Sequence, residues 1–177
     1  METSPQQTKP LQKKVATVNS VRFELRPLAL PEAETVAAWA ATPEDARFLT
    51  GAESFPLNAD DVAAWTYECD YALTLRQGGD LAAYAEIVED IVEQDVEIQH
   101  LLVAPDLRSL GVGRAMLERV CAFLAEARPY PEVWLRVSRD NAPAAACAAA
   151  AGFEAVAKMS GPRYQWYRKS LPKSDTL

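Results

Sequence analysis

An apolar run from Ile98 to Val103 stops at Pro105. It gives way to Arg108-Ser109-Leu110-Gly111-Val112-Gly113, after which an amphipathic segment begins. The order reads strand, tight turn, helix. Glycines at such a junction let the backbone turn sharply and approach a ligand closely, so that successive N–H groups point at one anion. The helix that follows adds its free N–H groups and the positive end of its dipole. Two other phosphate loops are excluded by residue type. A Walker A loop needs Gly-Lys-Ser/Thr where Arg114-Ala115 follows, and a dinucleotide fingerprint needs a third glycine where Met116 stands.

The rest of the chain alternates strands and helices around this junction. Val21 to Arg26 alternates apolar and charged residues, the period of a half-buried strand. Pro31 opens an Ala-rich helix through about Trp39. Thr42 to Leu57, rich in Pro, Gly and Asp, predicts a loop with a short helix, and Asn58 is a good N-cap for a helix carrying Val62, Ala63 and Trp65. Tyr71 to Arg76 and Leu81 to Val88 read as strands joined by the hairpin signal Gln77-Gly78-Gly79-Asp80. A very acidic connection leads to a fourth strand from about Val96 to Val103.

Beyond Gly113, Met116, Leu117, Val120, Cys121 and Leu124 fall on one helical face, and Pro129 and Pro131 stop the helix. Val133 to Ser138 is a fifth strand. Asn141 caps an Ala-rich helix that ends at Gly152, and Phe153–Lys158 and Arg163–Lys169 predict a closing strand pair. Strands interleaved with helices and hairpins define one α/β domain, a mixed sheet over residues 20–170. Residues 1–19 are expected to be a disordered leader and 171–177 a disordered tail.

Composition narrows the function. Cys69, Cys121 and Cys147 are odd in number and scattered, which predicts reduced thiols in the cytoplasm. With His100 as the single histidine and no C-x-x-C pair, no metal site is expected. A net charge of −7 argues against nucleic acid as a partner, and no apolar stretch reaches the roughly 20 residues of a membrane helix. The first residues carry no apolar core of a secretory signal.

The motif Ile98-x-x-Leu101-x-Val103-x-Pro105-x-x-Arg108-x-x-Gly111-x-Gly113, an amphipathic helix, a strand, then Asn141 and Gly152-Phe153 resembles the GNAT superfamily of acyl-CoA-dependent N-acetyltransferases. The resemblance spans Ser20 to Lys169. It implies a mostly antiparallel twisted sheet, splayed between strands 4 and 5, with helices on both faces. It also implies acetyl-CoA as co-substrate. Backbone groups of Leu102 and Val103 would pair with the pantetheine arm, and N–H groups from Arg108, Ser109, Leu110, Gly111, Val112, Gly113 and Arg114 would hold the pyrophosphate. Asn141 matches an asparagine that commonly contacts the pantetheine arm.

Acetyl transfer to an amine needs a base, because an alkyl ammonium titrates near pH 10. Glu97 sits where several members of the superfamily carry a catalytic glutamate; its other reading is one more charge in an acidic hairpin. An imidazole in general titrates at about 6.5, which suits proton exchange and makes His100 the other candidate, but strict alternation puts it on the face opposite Glu97 unless a bulge intervenes. Many members carry a tyrosine seven residues after the asparagine, which protonates the leaving thiolate. Here Ala148 stands in its place, so Tyr164 and Tyr167 are the remaining candidate acids.

The run Glu86, Glu89, Asp90, Glu93, Asp95 and Glu97 reads either as a solvated loop or as a funnel for a cationic amine, whether a small molecule or a basic peptide's N-terminus or lysine. The expected activity is N-acetylation of such an amine by a monomer or homodimer. An acyl-CoA sensor with weak catalysis and a transferase for another acyl-CoA are the alternatives.

Overall fold

The computed structural model describes residues 23–127 and 130–172. The expected leader, residues 21 and 22 of the first predicted strand, Pro129 and residues 173–177 lie outside the described residues. A seven-stranded sheet runs in the order β1-β2-β3-β4-β5-β7-β6. Its strands are β1 (Phe23–Pro27), β2 (Tyr71–Gln77), β3 (Asp80–Asp90), β4 (Asp95–Val103), β5 (Glu132–Ser138), β6 (Glu154–Ala155) and β7 (Tyr164–Ser170). Every neighbouring pair is antiparallel except β4 and β5, which are parallel.

Helices cover both faces. On the front, α1 (Ala33–Ala38), α2 (Pro43–Thr50) and α3 (Ala59–Glu68) bury Val36, Ala37, Ala46 and Val62 against Tyr84 and Leu102. On the back, α4 (Val112–Ala127) and α5 (Ala142–Ala150) cover the main core. There Met116, Leu117, Val120, Cys121 and Leu124, spaced at helical period, meet Ile98, Val133, Leu135 and Val137 at strand period. Each fully buried aliphatic side chain in this layer contributes about 1.5–3 kcal/mol relative to exposure.

Capping explains the front helices. Asn58 Oδ1 accepts from the Asp60 and Asp61 amides at 2.8 and 3.2 Å, and Asp61 Oδ2 accepts from the Asn58 amide at 2.8 Å. Thr42 Oγ1 accepts from the Asp45 amide at 3.1 Å with Pro43 in the first turn, so the helix within the expected loop takes up eight residues.

Near the C-terminus the predicted strand from Phe153 to Lys158 shortens to two residues. Ser160 Oγ accepts the Trp166 amide at 3.0 Å, replacing a ladder bond, and Ala157–Met159 becomes a 3-10 turn. The chain remains packed just past β7: Leu171 is buried, and its amide donates to Pro131 O at 2.8 Å. Among the described residues no helix is long and apolar enough to cross a membrane.

Candidate active site

The two parallel strands β4 and β5 pair at only two positions, Glu97↔Trp134 and Ile98↔Leu135. Beyond them the strands diverge, and a V-shaped opening follows the inner edge of β4 toward Val103. Which groups line that edge follows from the β3–β4 register. Ala104 donates to Ala82 O at 3.0 Å, with Ala83↔Val103 and Tyr84↔Leu102 next along the ladder. Antiparallel alternation therefore turns the Leu102 peptide groups toward Tyr84 and those of Val103 toward the opening. The Val103 carbonyl there accepts from Arg108 Nε at 3.3 Å.

At the open end of the V lies the glycine turn. Ser109 and Gly111 both adopt positive φ, 61° and 82°, and Ala115 donates to Gly111 O at 3.0 Å as α4 begins. A Cβ at Gly111 would meet nothing within 4 Å, so the loop's outer surface is clear for a ligand to approach. Gly113 differs: a Cβ there would lie 2.9 Å from Cys147 Sγ and 3.4 Å from Val103 Cγ2, so this glycine lets α4 approach α5 and β4.

The charged side chains of the loop are engaged elsewhere. Arg108 Nη1 reaches Asp45 Oδ1 and Oδ2 at 3.1 and 3.3 Å, and its Nη2 donates to Trp39 O at 2.7 Å, tying the loop to the front helices. Arg114 pairs with Glu118 at 2.7 Å. What faces a ligand is backbone, at the start of a sixteen-residue helix. Leu110 projects into solvent, Val112 is buried, and Asn141 Oδ1 caps α5 on the Ala144 amide at 3.1 Å. This backbone cradle, open at Gly111, fits the pyrophosphate of an acyl-CoA.

At the closed end of the V, a bulge decides where the titratable groups point. The register shifts between Tyr84 and Glu86, and opposite it His100 adopts φ 47°. Val96 and Ile98 face the back core, whereas His100 turns to the front, stacking on Trp65 with ring centroids 4.2 Å apart and planes 20° from parallel. The bulge thus brings His100 onto the same face as Glu97, where strict alternation puts it on the other. Its Nδ1 lies 2.7 Å from Glu86 Oε2, and Tyr84 Oη donates to Glu86 Oε1.

Glu86 is 2% exposed, so it leaves the acidic surface run in which the sequence alone groups it. Burial first, then the Glu86 charge, pushes the Tyr84 hydroxyl far above the ordinary phenol value. Burial also raises Glu97 above the usual carboxylate value, against the lowering effects of the Gln99 hydrogen bond and the Arg136 and His100 charges. Sequence reasoning missed the Glu86 contacts. The available signal was a carboxylate inside the otherwise apolar Leu81–Val88 strand, two residues from a tyrosine and so on its face.

The two candidate acids separate. Tyr164 lies on the front of β7 opposite Ser138, with the Arg136 guanidinium 4.8 Å from its ring centre, whereas Tyr167 packs into the back core. Ala148 is fully buried, with its carbonyl accepting the Phe153 amide at 3.0 Å. Trp134 and Trp166 meet edge to face on the front at 6.4 Å. Among the described residues no three His, Cys, Asp or Glu side chains could hold a metal ion.

A family model described as acetyltransferase (GNAT) family matches residues 34–153, most of the chain. The chain belongs to the GNAT acetyltransferase family. This GNAT chain is 32% identical over 102 residues to the ribosomal protein bS18-alanine N-acetyltransferase of Escherichia coli K12, covering 58% of this chain and 67% of that one. An acetyltransferase from Thermus thermophilus superimposes with TM-score 0.66 at 25% identity, over 84% of this chain and 97% of that one. A Vibrio cholerae spermidine N-acetyltransferase, solved with CoA and spermine, shares the fold with TM-score 0.69 at 12% identity, over 84% and 95% of the two chains.

Proposed function

We propose that this GNAT protein moves an acetyl group from acetyl-CoA directly onto a primary amine. The observation that carries the reading is the V between β4 and β5, closed at one end by two strand pairs and capped at its open end by a backbone anion cradle. Acetyl-CoA supplies an activated thioester carbonyl and a good leaving group. The Val103 peptide on the open strand edge would pair with the pantetheine amides, and the Ser109–Arg114 backbone with the pyrophosphate. Asn141 holds the start of α5 at the same end of the sheet.

Glu97, at the first of the two paired positions of β4, is the base: it takes the proton from the acceptor ammonium, directly or through one water. The freed amine then forms the C–N bond as the C–S bond breaks. A half-buried carboxylate with a raised pKa suits this role because it binds the proton more tightly than an exposed one. His100 is a second base, favoured by one observation: Glu86 engages Nδ1 and leaves Nε2 as the exchanging nitrogen. With alanine at position 148, water protonates the departing thiolate, whose basicity is that of an ordinary thiol.

Thiol release from acetyl-CoA across a panel of primary amines tests the reading, alongside the melting temperature with and without acetyl-CoA. Ligand at about 100 times Kd stabilises by about 2.7 kcal/mol, a shift of several degrees. A shift without turnover supports the sensor alternative, no shift at millimolar acetyl-CoA overturns the donor site, and faster turnover with a longer acyl-CoA reassigns the donor.

A further inference from the structure

On the front face, at the open end of the V, a cavity of about 120 Å³ lies between α2, the end of β5 and the start of β7. Arg47, Arg139, Arg163, Tyr164, Ser138 and Asp140 line it. Three arginines and one aspartate thus lie in its wall, a local positive excess on a chain whose net charge is −7.

The carboxylates in reach hold these arginines loosely. Arg47 is 3.6 Å from Asp140 Oδ2 and 3.7 Å from Glu44 Oε1, both near the outer limit of an ion pair. The other two contact backbone carbonyls, which leave their charges uncompensated. Arg139 Nε donates to Gly161 O at 2.7 Å, and Arg163 Nη2 to Gly51 O at 3.5 Å. Arg136 and Arg163 also flank the Tyr164 ring, at 4.8 and 5.6 Å from its centre.

The position is set by the strand. Trp134 pairs with Glu97 and Ser138 pairs with Tyr164, so the cavity lies four residues, about 13 Å, along β5 from the base. Trp134, Arg136 and Trp166 pave the interval on the same face.

We propose that this cavity is an oxyanion subsite for the acceptor: the amine acetylated by the protein carries a carboxylate about 10–13 Å from its nitrogen, seated by Arg47, Arg139 and Arg163. The inference rests on the amine-acetylation reading above. The ammonium end meets Glu97 at the closed end of the V, and the anionic end meets planar forks suited to a carboxylate. An extended peptide with an acidic side chain at its fourth residue spans that distance, whereas a polyamine presents a cation to the arginines. The acidic β3–β4 connection joins β4 two residues before Glu97, at the end where the amine would sit.

The test compares the C-terminally amidated peptides Ala-Ala-Ala-Glu-NH2 and Ala-Ala-Ala-Gln-NH2, which differ in the one carboxylate, as acceptors for the full chain, reading thiol release and separate KM values for peptide and acetyl-CoA. The glutamate peptide is expected to be favoured at least tenfold in kcat/KM, through peptide KM. Arg163→Gln, and independently Arg47→Gln, should erode that preference. Equal use of the two peptides overturns the subsite. A rise in acetyl-CoA KM alone in the variants also overturns it, because the arginines then serve the donor's phosphates.

Should neither peptide release thiol, calorimetric titration of the N-acetylated, C-terminally amidated Ala-Ala-Ala-Glu peptide and its glutamine counterpart into the CoA-bound protein decides the subsite separately from the reaction. Carboxylate-dependent binding lost in Arg163→Gln upholds it, and equal binding or none overturns it.

Discussion

His100 Nδ1 and Glu86 Oε2 lie 2.7 Å apart across the β3–β4 bulge, and the carboxylate belongs to a residue only 2% exposed. A carboxylate withdrawn from water is tolerable only when its oxygens are bonded. Here Tyr84 and His100 take one oxygen each. The bulge, the positive φ of His100 and the Trp65 stack are thus parts of one arrangement that fixes the imidazole beside the apex of the V.

That arrangement predicts an order of stabilities. Glu86→Ala leaves a hydroxyl and an imidazole nitrogen without their acceptor and should cost about 2–4 kcal/mol. Tyr84→Phe removes one donor and should cost about half as much. Urea unfolding followed by tryptophan fluorescence reads both, and a Glu86→Ala protein as stable as the parent removes the anchoring role.

Glu97 and His100 can be told apart by their pH profiles. If Glu97 takes the ammonium proton, Glu97→Gln lowers kcat about 100-fold and removes the limb on which activity rises as this carboxylate ionises. His100→Gln should cost less than tenfold and leave the limb in place. The reverse ranking transfers the role to the His100–Glu86 pair.

The raised pKa of Glu97 also has a consequence for stability. Between the unfolded value and the higher folded one, the folded protein still holds a proton that the unfolded chain has lost, so stability falls as pH rises through that window. The deficit persists at neutral pH, and glutamine removes it. Glu97→Gln should melt at or above the parent at pH 7, with its advantage shrinking below the ordinary carboxylate pKa. Differential scanning calorimetry from pH 3 to 8 (chosen to bracket that range) measures the crossover.

Periodicity made the strands, α4, the Asn58 and Asn141 caps and the glycine cradle legible in the sequence, because each follows from neighbouring residues. What it could not reach depends on partners far along the chain. The face of His100 is set by a bulge against β3, and Arg108 is engaged by Asp45, 63 positions away. The Phe153–Lys158 segment has strand composition, yet the Ser160 hydroxyl captures a ladder donor and ends it. The arginine cavity draws its members from α2, the β5–α5 turn and the start of β7, segments that no local pattern connects.

Gly113 and Cys147 should be energetically coupled. An alanine at 113 puts its Cβ 2.9 Å from Cys147 Sγ, closer than such atoms approach, so Gly113→Ala should destabilise by about 1–3 kcal/mol. Cys147→Ala withdraws the obstructing sulfur, and the double variant should recover more than about 0.5 kcal/mol relative to additivity. Additive losses would mean that the Cys147 sulfur is not what requires a glycine at 113.

Arg108 is a strut in this structure, and that makes its effect on acetyl-CoA binding indirect. Its guanidinium joins Asp45, Trp39 O and Val103 O, so removing it releases the cradle from the front helices while leaving the cradle's own N–H groups in the chain. Arg108→Ala should lower stability by about 1–3 kcal/mol, the range for a charge-assisted hydrogen bond. It should weaken acetyl-CoA binding less than Gly111→Val, which forces a β-branched residue into a positive φ at the ligand-facing surface. The decisive comparison is Asp45→Asn, measured by titration calorimetry with acetyl-CoA. A strut loses part of its effect when Asp45 is changed, so the two substitutions should be non-additive and both should raise Kd. If Asp45→Asn leaves Kd unchanged while Arg108→Ala raises it tenfold or more, the guanidinium turns to the phosphates when acetyl-CoA binds.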